Sequence, residues 1–368
     1  MRIVLLSGTP YLPQVRGGVE VNTHELAVEL MQRGHAVTVL TRLSYRDGFG
    51  LKTQIKRWLG EDISDRSLGY EVIRVRDLAA VITDLPKPDV VVIHNGDPTR
   101  VAAAFAQRDV PVLVYMHGLG FDSWPCQSGP VGVLPVSGFL SISEFVADRF
   151  RAKHGIVTRA IPPVHRAERY RTERNGRYVT LINPVPVKGV DLALNVAERL
   201  PDIAFCFVKG WPLGLREGRL LKARIAKLPN VTFRENSDMK DVYRDTQILL
   251  VPSQWEAETW GRVVTEAHFS GIPVVASDRG GLRESVGPGG VVLPANDHPD
   301  RWASAIRSIW DDPERYRQLS TAALKYSRRP GISIEHQVTT FEEILRAVVC
   351  GQPVSHPASD VAVMRKVV

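Results

Sequence analysis

Two glutamates bracket the segment Glu258-Thr-Trp-Gly-Arg-Val-Val-Thr-Glu266. It follows the apolar run Ile248-Leu-Leu-Val-Pro-Ser253 and precedes Gly271-Ile-Pro-Val-Val-Ala-Ser277. That order reads as a strand, a loop carrying the first glutamate, a helix carrying the second, and another strand. At 3.6 residues per turn, eight positions return to within about 80° of the starting face. Both carboxylates are therefore expected in one solvated crevice at the C-terminal ends of parallel strands, where open α/β sheets bind ligands. Paired carboxylates beside a glycine-rich turn suit a polyhydroxylated ligand, one accepting from hydroxyls and the other facing positive charge.

Three further sites carry residue types that do chemistry. The first loop runs from Gly8 to Glu20 through Gly17-Gly18. A glycine pair opening a helix either serves a tight turn that needs positive φ or lets backbone N–H groups approach an anion at the positive helix end. The loop does not spell G-x-G-x-x-G, which argues against a nicotinamide dehydrogenase. His117, in Tyr115-Met-His-Gly118, follows a strand; it is either a satisfied structural group or a ligand-facing imidazole at the strand's C-terminal end. Lys188, in Ile182-Asn-Pro-Val-Pro-Val-Lys-Gly189, lies between a strand and a helix, as a surface lysine or as a cation over a phosphate. The chain has no Asp-x-Asp, and its nearest acidic cluster is Glu256-Ala-Glu258. A carboxylate-held metal on a phosphate is therefore not expected.

The elements that must position these groups alternate along the chain. Strand-like runs are Ile3–Leu6, Val37–Thr41, Val72–Val75, Val90–Ile93 and Val112–Tyr115, then Tyr178–Ile182, Ala204–Val208, Val231–Phe233, Ile248–Val251, Val274–Ala276 and Val291–Leu293. Helix-length segments lie between, such as Val19–Arg33 closing at Gly34. This alternation predicts an α/β protein of two Rossmann-like, doubly wound domains facing a cleft. The first domain is expected over 1–165 and the second over 166–349, with a last helix, Glu335–Val349, crossing back; 350–368 reads as a loose tail.

With 368 residues, 44% hydrophobic and 24% charged, the chain has ordinary globular composition and room for two domains. No apolar run reaches the roughly 18 residues of a membrane span, and Ile3-Val-Leu-Leu6 is too short for a signal-peptide core. Cys126, Cys206 and Cys350 form neither a disulfide framework nor a CxxC site, which points to a reducing cytoplasm. The net charge of +7 is unevenly spread: Arg149 to Arg177 holds nine Lys or Arg against Glu168 and Glu173. That run reads as a solvated linker or as an edge attracting anions. Without interleaved aromatics, nucleic acid is not an expected partner. The segment Leu51–Leu59 sets Leu51, Ile55, Trp58 and Leu59 at helical spacing beside Lys52, Lys56 and Arg57. It is either a surface helix packed on its domain or an interfacial helix meeting an acceptor or anionic lipid, the latter peripherally on the inner membrane face.

Taken together, the motifs resemble the GT-B nucleotide-sugar glycosyltransferases, in particular the large retaining family 4. The resemblance spans roughly Met1 to Val349. It rests on Val251-Pro-Ser-Gln-Trp-Glu-Ala-Glu258 through Glu266, Gly271-Ile-Pro-Val-Val-Ala-Ser, Gly280-Gly-Leu-Arg-Glu-Ser and Gly290-Val-Val-Leu-Pro294. It implies a retaining transferase that moves a sugar from a UDP- or GDP-linked donor to a hydroxyl acceptor, with no other cofactor and no metal. It further implies that Glu258 lies over the donor sugar and that Glu266 bonds the nucleotide ribose. The backbone of Trp260, Gly261, Arg262 and Val263 would line the sugar and diphosphate. Gly17 and Gly18 match the family's glycine loop near the diphosphate and acceptor, and His117 matches its donor-side histidine. There are two departures. The family commonly has an arginine five residues before the Lys-Gly matched by Lys188-Gly189, and Asn183 stands there, so half of the cationic diphosphate clamp is missing. Lys209-Gly-Trp-Pro212 replaces the usual Gly-x-Gly turn. Two other classes share the architecture: a nucleotide-sugar epimerase, whose pattern would lack the paired glutamates, and a catalytically silent nucleotide-sugar-binding protein, which would lose carboxylates that are present here.

Overall fold

Along β1 (Arg2–Ser7), β4 (Val90–Asn95) and β5 (Val112–Met116), apolar residues follow one another without alternation, and nearly all are buried. Strands with that pattern are covered on both faces. The computed structural model describes residues 1–45, 47–59, 64–120, 134–211, 213–235 and 238–354, without the side chain of Arg57. The chain divides into two compact units, His165–Ser333 forming the second and the flanking segments the first.

The remaining elements of the first unit are α1 (Gly18–Gln32), β2 (Ala36–Arg42), α2 (Gly48–Trp58), β3 (Glu71–Val75), α3 (Thr99–Ala106), β6 (Gly138–Ser141), α4 (Glu144–His154) and β7 (Arg159–Ala160). The second unit holds β8 (Tyr178–Ile182), α5 (Val190–Arg199), β9 (Phe205–Lys209), α6 (Leu215–Ile225), β10 (Val231–Glu235), α7 (Met239–Asp245), β11 (Thr246–Val251) and α8 (Arg262–His268). It continues with β12 (Val274–Ser277), α9 (Leu282–Val286), β13 (Gly290–Leu293), α10 (Pro299–Trp310) and α11 (Pro313–Tyr326). The last helix, α12 (Ile334–Val349), returns to the first unit.

Both sheets are parallel throughout the described residues. The first has the order β3-β2-β1-β4-β5-β6-β7 and the second β10-β9-β8-β11-β12-β13. Strand order reverses between β1 and β4 and again between β8 and β11, the two switch points at which such sheets bind ligands. In the second unit, alternate residues of each strand feed opposite faces. Ile248, Leu250 and Val275 pack with Trp302 and α5, whereas Leu249, Val251, Val274 and Ala276 pack with Trp260 and Leu282.

Each expected strand is present; β6 and β7 were not expected. They are only four and two residues long, and Thr158, just before β7, donates its hydroxyl to that of Ser141 at 2.9 Å. The helix α12 is held by Phe341 and Leu345 in the first core. The Glu342 carboxylate also accepts from Arg33 at 3.2 Å and from His35 Nε2 at 3.0 Å. Of the expected loose tail, residues 355–368 lie outside the described ones, as does Cys126. Val354 is packed against the first core beside Gly138, where a Cβ would meet its methyl at 2.4 Å. Cys206 is a buried and Cys350 an exposed free thiol. No helix among the described residues is long and apolar enough to cross a membrane. In the basic run, Arg177, itself mostly exposed, pairs with Asp245 at 3.4 Å, and Arg174 donates to the Tyr316 hydroxyl.

Candidate active site

In the second unit the chemistry gathers where the loops after β8 and β11 meet. Glycine at 189 makes that meeting possible: its φ is +79°, and a Cβ there would lie 1.9 Å from the Pro252 carbonyl oxygen. Lys188, the last residue of a single 3-10 turn over Pro186–Lys188, is thereby brought against Glu258. Its ammonium donates to Glu258 Oε2, and the Ser253 hydroxyl donates to the same oxygen at 3.0 Å. Two indoles stand over the ammonium, with Nζ 5.1 Å from the Trp211 ring centre and 5.0 Å from that of Trp255. Gly280 and Gly281 form the floor beneath Glu258. A Cβ on either would strike the carbonyl oxygens of Glu258 or Thr259 at 2.1 and 2.2 Å. Glycines are needed there because backbone packs on backbone.

Glu266 occupies a different environment. Tyr243 donates its phenol proton to Glu266 Oε2 at 2.7 Å, and Arg262 Nε lies 3.7 Å from Oε1. Burial pushes the Glu266 carboxyl above its ordinary range, with Arg262 and Tyr243 pulling the other way. Burial likewise pushes the Tyr243 phenol well up, so the phenol stays protonated and can donate.

The sequence-based geometry of the two glutamates needs correcting. Gly261 adopts φ +77° and α8 begins only at Arg262, so no helical turn connects Glu258 to Glu266. Both carboxylates are also buried, each 6% exposed, rather than solvated. They have separate partner sets. Trp260 turns its ring into the core, where Nε1 donates to Thr265 Oγ1 at 3.0 Å, which leaves its backbone as the part able to face a ligand. Val263 packs against the same core cluster. Asn183 spends its side-chain oxygen on the backbone N–H of Trp211, at 2.8 Å.

The other expected residues belong to the first unit. The Gly17 N–H donates to Glu20 Oε2 at 3.0 Å, and Thr9 donates to Oε1 at 3.4 Å. Glu20 thus caps α1, which begins at Gly18, and an anion using the Gly17 N–H would have to displace a carboxylate. Burial pushes that carboxyl upward, opposed by its backbone and Thr9 bonds. Across the first switch point, Gly8 donates its N–H to the Asn95 carbonyl at 3.0 Å, and its own Cβ would sit 2.5 Å from the Gly96 Cα. His117, just past β5, stacks on His94 from the end of β4, with ring centres 5.1 Å apart. His117 Nε2 lies 3.0 Å from His94 Nδ1, which is 3.1 Å from Thr23 Oγ1. Burial lowers the His94 pKa to about 3, so the ring is neutral and has one proton to place; the tautomers of the two imidazoles are coupled through this contact.

Sequence reasoning missed Ser253, Tyr243, Glu20 and His94. Two had a signal. Glu20 stands three residues after Gly17, the spacing of a capping box, and His94 closes a strand just as His117 does. Neither Ser253 nor Tyr243 had one, because each is selected only by its distance to a carboxylate.

The chain matches the family described as "Glycosyl transferases group 1" over residues 173–326 and the "Glycosyl transferase 4-like domain" over residues 17–164. It is 41% identical over 289 residues to the D-inositol 3-phosphate glycosyltransferase 1 of Catenulispora acidiphila, covering 65% of this chain and 68% of that one. To the D-inositol 3-phosphate glycosyltransferase of Rhodococcus jostii it is 30% identical over 205 residues, covering 51% of this chain and 44% of that one. The fold is similar to that of Anabaena Alr3699/HepE in complex with UDP (TM-score 0.77, 18% identity, 94% of this chain and 100% of that one). It is also similar to that of a glycosyltransferase from Rickettsia africae (TM-score 0.73, 16% identity, 95% and 98%). Two parallel sheets that each reverse strand order at a switch point, two matching family domains and a relative aligned over two thirds of its length place this chain among the glycosyltransferases of the family 4, GT-B type.

Proposed function

We propose that this glycosyltransferase moves a sugar from a nucleoside diphosphate sugar, UDP- or GDP-linked, to a hydroxyl acceptor with retention of anomeric configuration. The observation that carries this reading is the meeting of Lys188, Glu258 and Ser253 at the switch point of the second sheet. A partly buried ammonium next to a buried carboxylate is the charge pattern for holding a departing diphosphate beside a polyol. In the proposed step the bond from the anomeric carbon to the β-phosphate oxygen breaks. The acceptor oxygen bonds that carbon on the same face, and the acceptor proton passes to the leaving diphosphate. Lys188 stabilises the charge growing on the leaving group, Glu258 orients sugar hydroxyls, and the protein's contribution is positioning and preorganised charge. Glu266 takes the nucleotide ribose, and His117, oriented by His94, takes a sugar hydroxyl. No metal is required.

The relatives named as D-inositol 3-phosphate glycosyltransferases make that compound the first acceptor to try, and the UDP complex of the Anabaena protein makes UDP-sugars the first donors. Purified protein is incubated with UDP- and GDP-sugars, with and without D-inositol 3-phosphate, in excess EDTA. Release of UDP or GDP together with an α-configured product from an α-linked donor is the expected result. Inversion would refute the retaining step, and complete loss on chelation, restored by Mg²⁺ or Mn²⁺, would refute metal independence. A donor recovered with altered sugar stereochemistry and no transfer would identify an epimerase. Tight nucleotide binding without turnover on any donor would identify a silent binding protein.

We also propose a peripheral contact between α2 and an anionic membrane surface. Leu51, Ile55, Trp58 and the following Leu59 are all exposed, Trp58 at 85%, so the stripe is not packed on its own unit. Lys52 and Lys56 lie within the same helix.

A further inference from the structure

The two departures from the family pattern, Asn183 and the turn at Gly210-Trp211, are joined physically. Asn183 sits just past β8 in the left-handed region, φ +60°. Its N–H donates to the Val208 carbonyl at 2.9 Å, and its side-chain oxygen accepts from the Trp211 N–H at 2.8 Å. Gly210, just before Trp211, leaves room for that oxygen: a Cβ there would lie 2.4 Å from it and would push the Asn183 side chain aside. The loop after β9 is thus tied down on the loop after β8, and Trp211 presents its ring to the Lys188 ammonium.

A second wall comes from the loop after β11. The Trp255 N–H donates to Ser253 Oγ at 3.3 Å, the hydroxyl that donates to Glu258. Its ring stands at 84° to that of Trp211, with centres 6.4 Å apart. The ammonium therefore lies in a corner of two nearly perpendicular indoles, with Glu258 as its counter-charge. Indole faces attract a cation through their quadrupole. They add no charge of their own, but they flank the end of a flexible four-carbon stem on two sides.

We propose that Asn183, Trp211 and Trp255 are positioning residues for Lys188: they build an aromatic corner that holds one ammonium at the diphosphate position. This rests on the reading of Lys188 as the diphosphate ligand.

The test is calorimetric titration of the full chain with UDP and GDP as probes, using variants in two backgrounds. Lys188→Met is expected to weaken binding of the accepted nucleotide about 10- to 150-fold. Trp211→Leu and Trp255→Leu should each weaken it about 3- to 30-fold, Asn183→Ala by less, and Trp211→Phe and Trp255→Phe should recover most of the loss. In the Lys188→Met background, either Leu substitution should cost less than about 2-fold more, because contacting groups couple. Thermal midpoints exclude misfolding, and the Phe variants keep the test open if a Leu variant unfolds. Equal losses in both backgrounds, or no loss from either Leu variant while Lys188→Met binds poorly, would overturn the corner. A neutral Lys188→Met, or a wild type that binds neither nucleotide, would instead remove the diphosphate reading, and the corner's role with it.

Discussion

Glu258 and Glu266 differ in what they touch, and their variants should differ accordingly. Glu258→Gln keeps the shape but removes the counter-charge of Lys188 and weakens the acceptor of the Ser253 bond. Loss of one preorganised contact of this kind is commonly worth about 10²–10³ in rate, so turnover in the transfer assay should fall by that much. Activity within a few-fold of wild type would take Glu258 out of the mechanism. Glu266→Ala should act on nucleotide affinity, and it also leaves the Tyr243 phenol without its carboxylate acceptor. The Val263 carbonyl, 3.4 Å from that hydroxyl, is left as a weaker acceptor, so the cost should lie toward the low end of the about 1–3 kcal/mol of an orphaned buried donor. The double variant Glu266→Ala/Tyr243→Phe should therefore recover thermal stability but not nucleotide affinity. Recovery of both would mean that Glu266 has only a structural role.

At the scale of elements, what matters is which faces are covered. The helix α1 buries Leu26, Ala27 and Leu30, and α12 buries Val338, Phe341 and Leu345, each completing the first core. The helix α2 does the reverse, exposing Leu51, Ile55 and Trp58. Apolar side chains standing beside lysines on one short helix fit an interface where acyl chains meet anionic headgroups. Vesicles containing anionic phospholipid should co-sediment the protein at low salt and release it at high salt, as the surface potential is screened. Trp58→Glu should abolish the association while leaving nucleotide binding intact. Binding equally tight to zwitterionic vesicles, or unaffected by Trp58→Glu, would assign the contact to another surface.

Each unit of the molecule carries a buried histidine away from its ordinary ionisation. Burial lowers both His94 in the first unit and His268 in the second to about 3, with Arg329 adding to the effect at His268. The folded pKa lies below the ordinary 6.5, so the folded state binds fewer protons than the unfolded chain. The stability from these neutral rings is complete above about pH 6.5 and is lost as pH falls toward about 3. In that window each histidine contributes a slope of about 1.4 kcal/mol per pH unit. Glu20 and Glu266, whose carboxyls burial pushes up, act in the opposite sense, so the difference between wild type and a histidine variant is the quantity to measure. In urea unfolding at pH 7 and pH 4.5, His268→Phe should narrow the gap between the two midpoints. An unchanged gap would show that His268 charges in place without cost.

The alternation of apolar runs with helix-length segments determined both parallel sheets, because burial on two faces imposes a local pattern that any stretch of chain displays alone. The same holds for the identity of the family, which is carried by residues close in sequence between Val251 and Pro294. What Glu258 touches was decided only by the tertiary structure. Lys188 is 70 positions away, and it arrives because Gly189 lets two loops touch, a requirement with no periodic signature. Helical spacing suggested a shared crevice for Glu258 and Glu266, but the left-handed Gly261 breaks the turn between them and each carboxylate finds its own partners. The pairing of His94 with His117, and of Asn183 with Trp211, likewise joins the ends of neighbouring strands. Sequence places a residue at the end of a strand; only the order of strands in the sheet decides which other strand ends lie beside it.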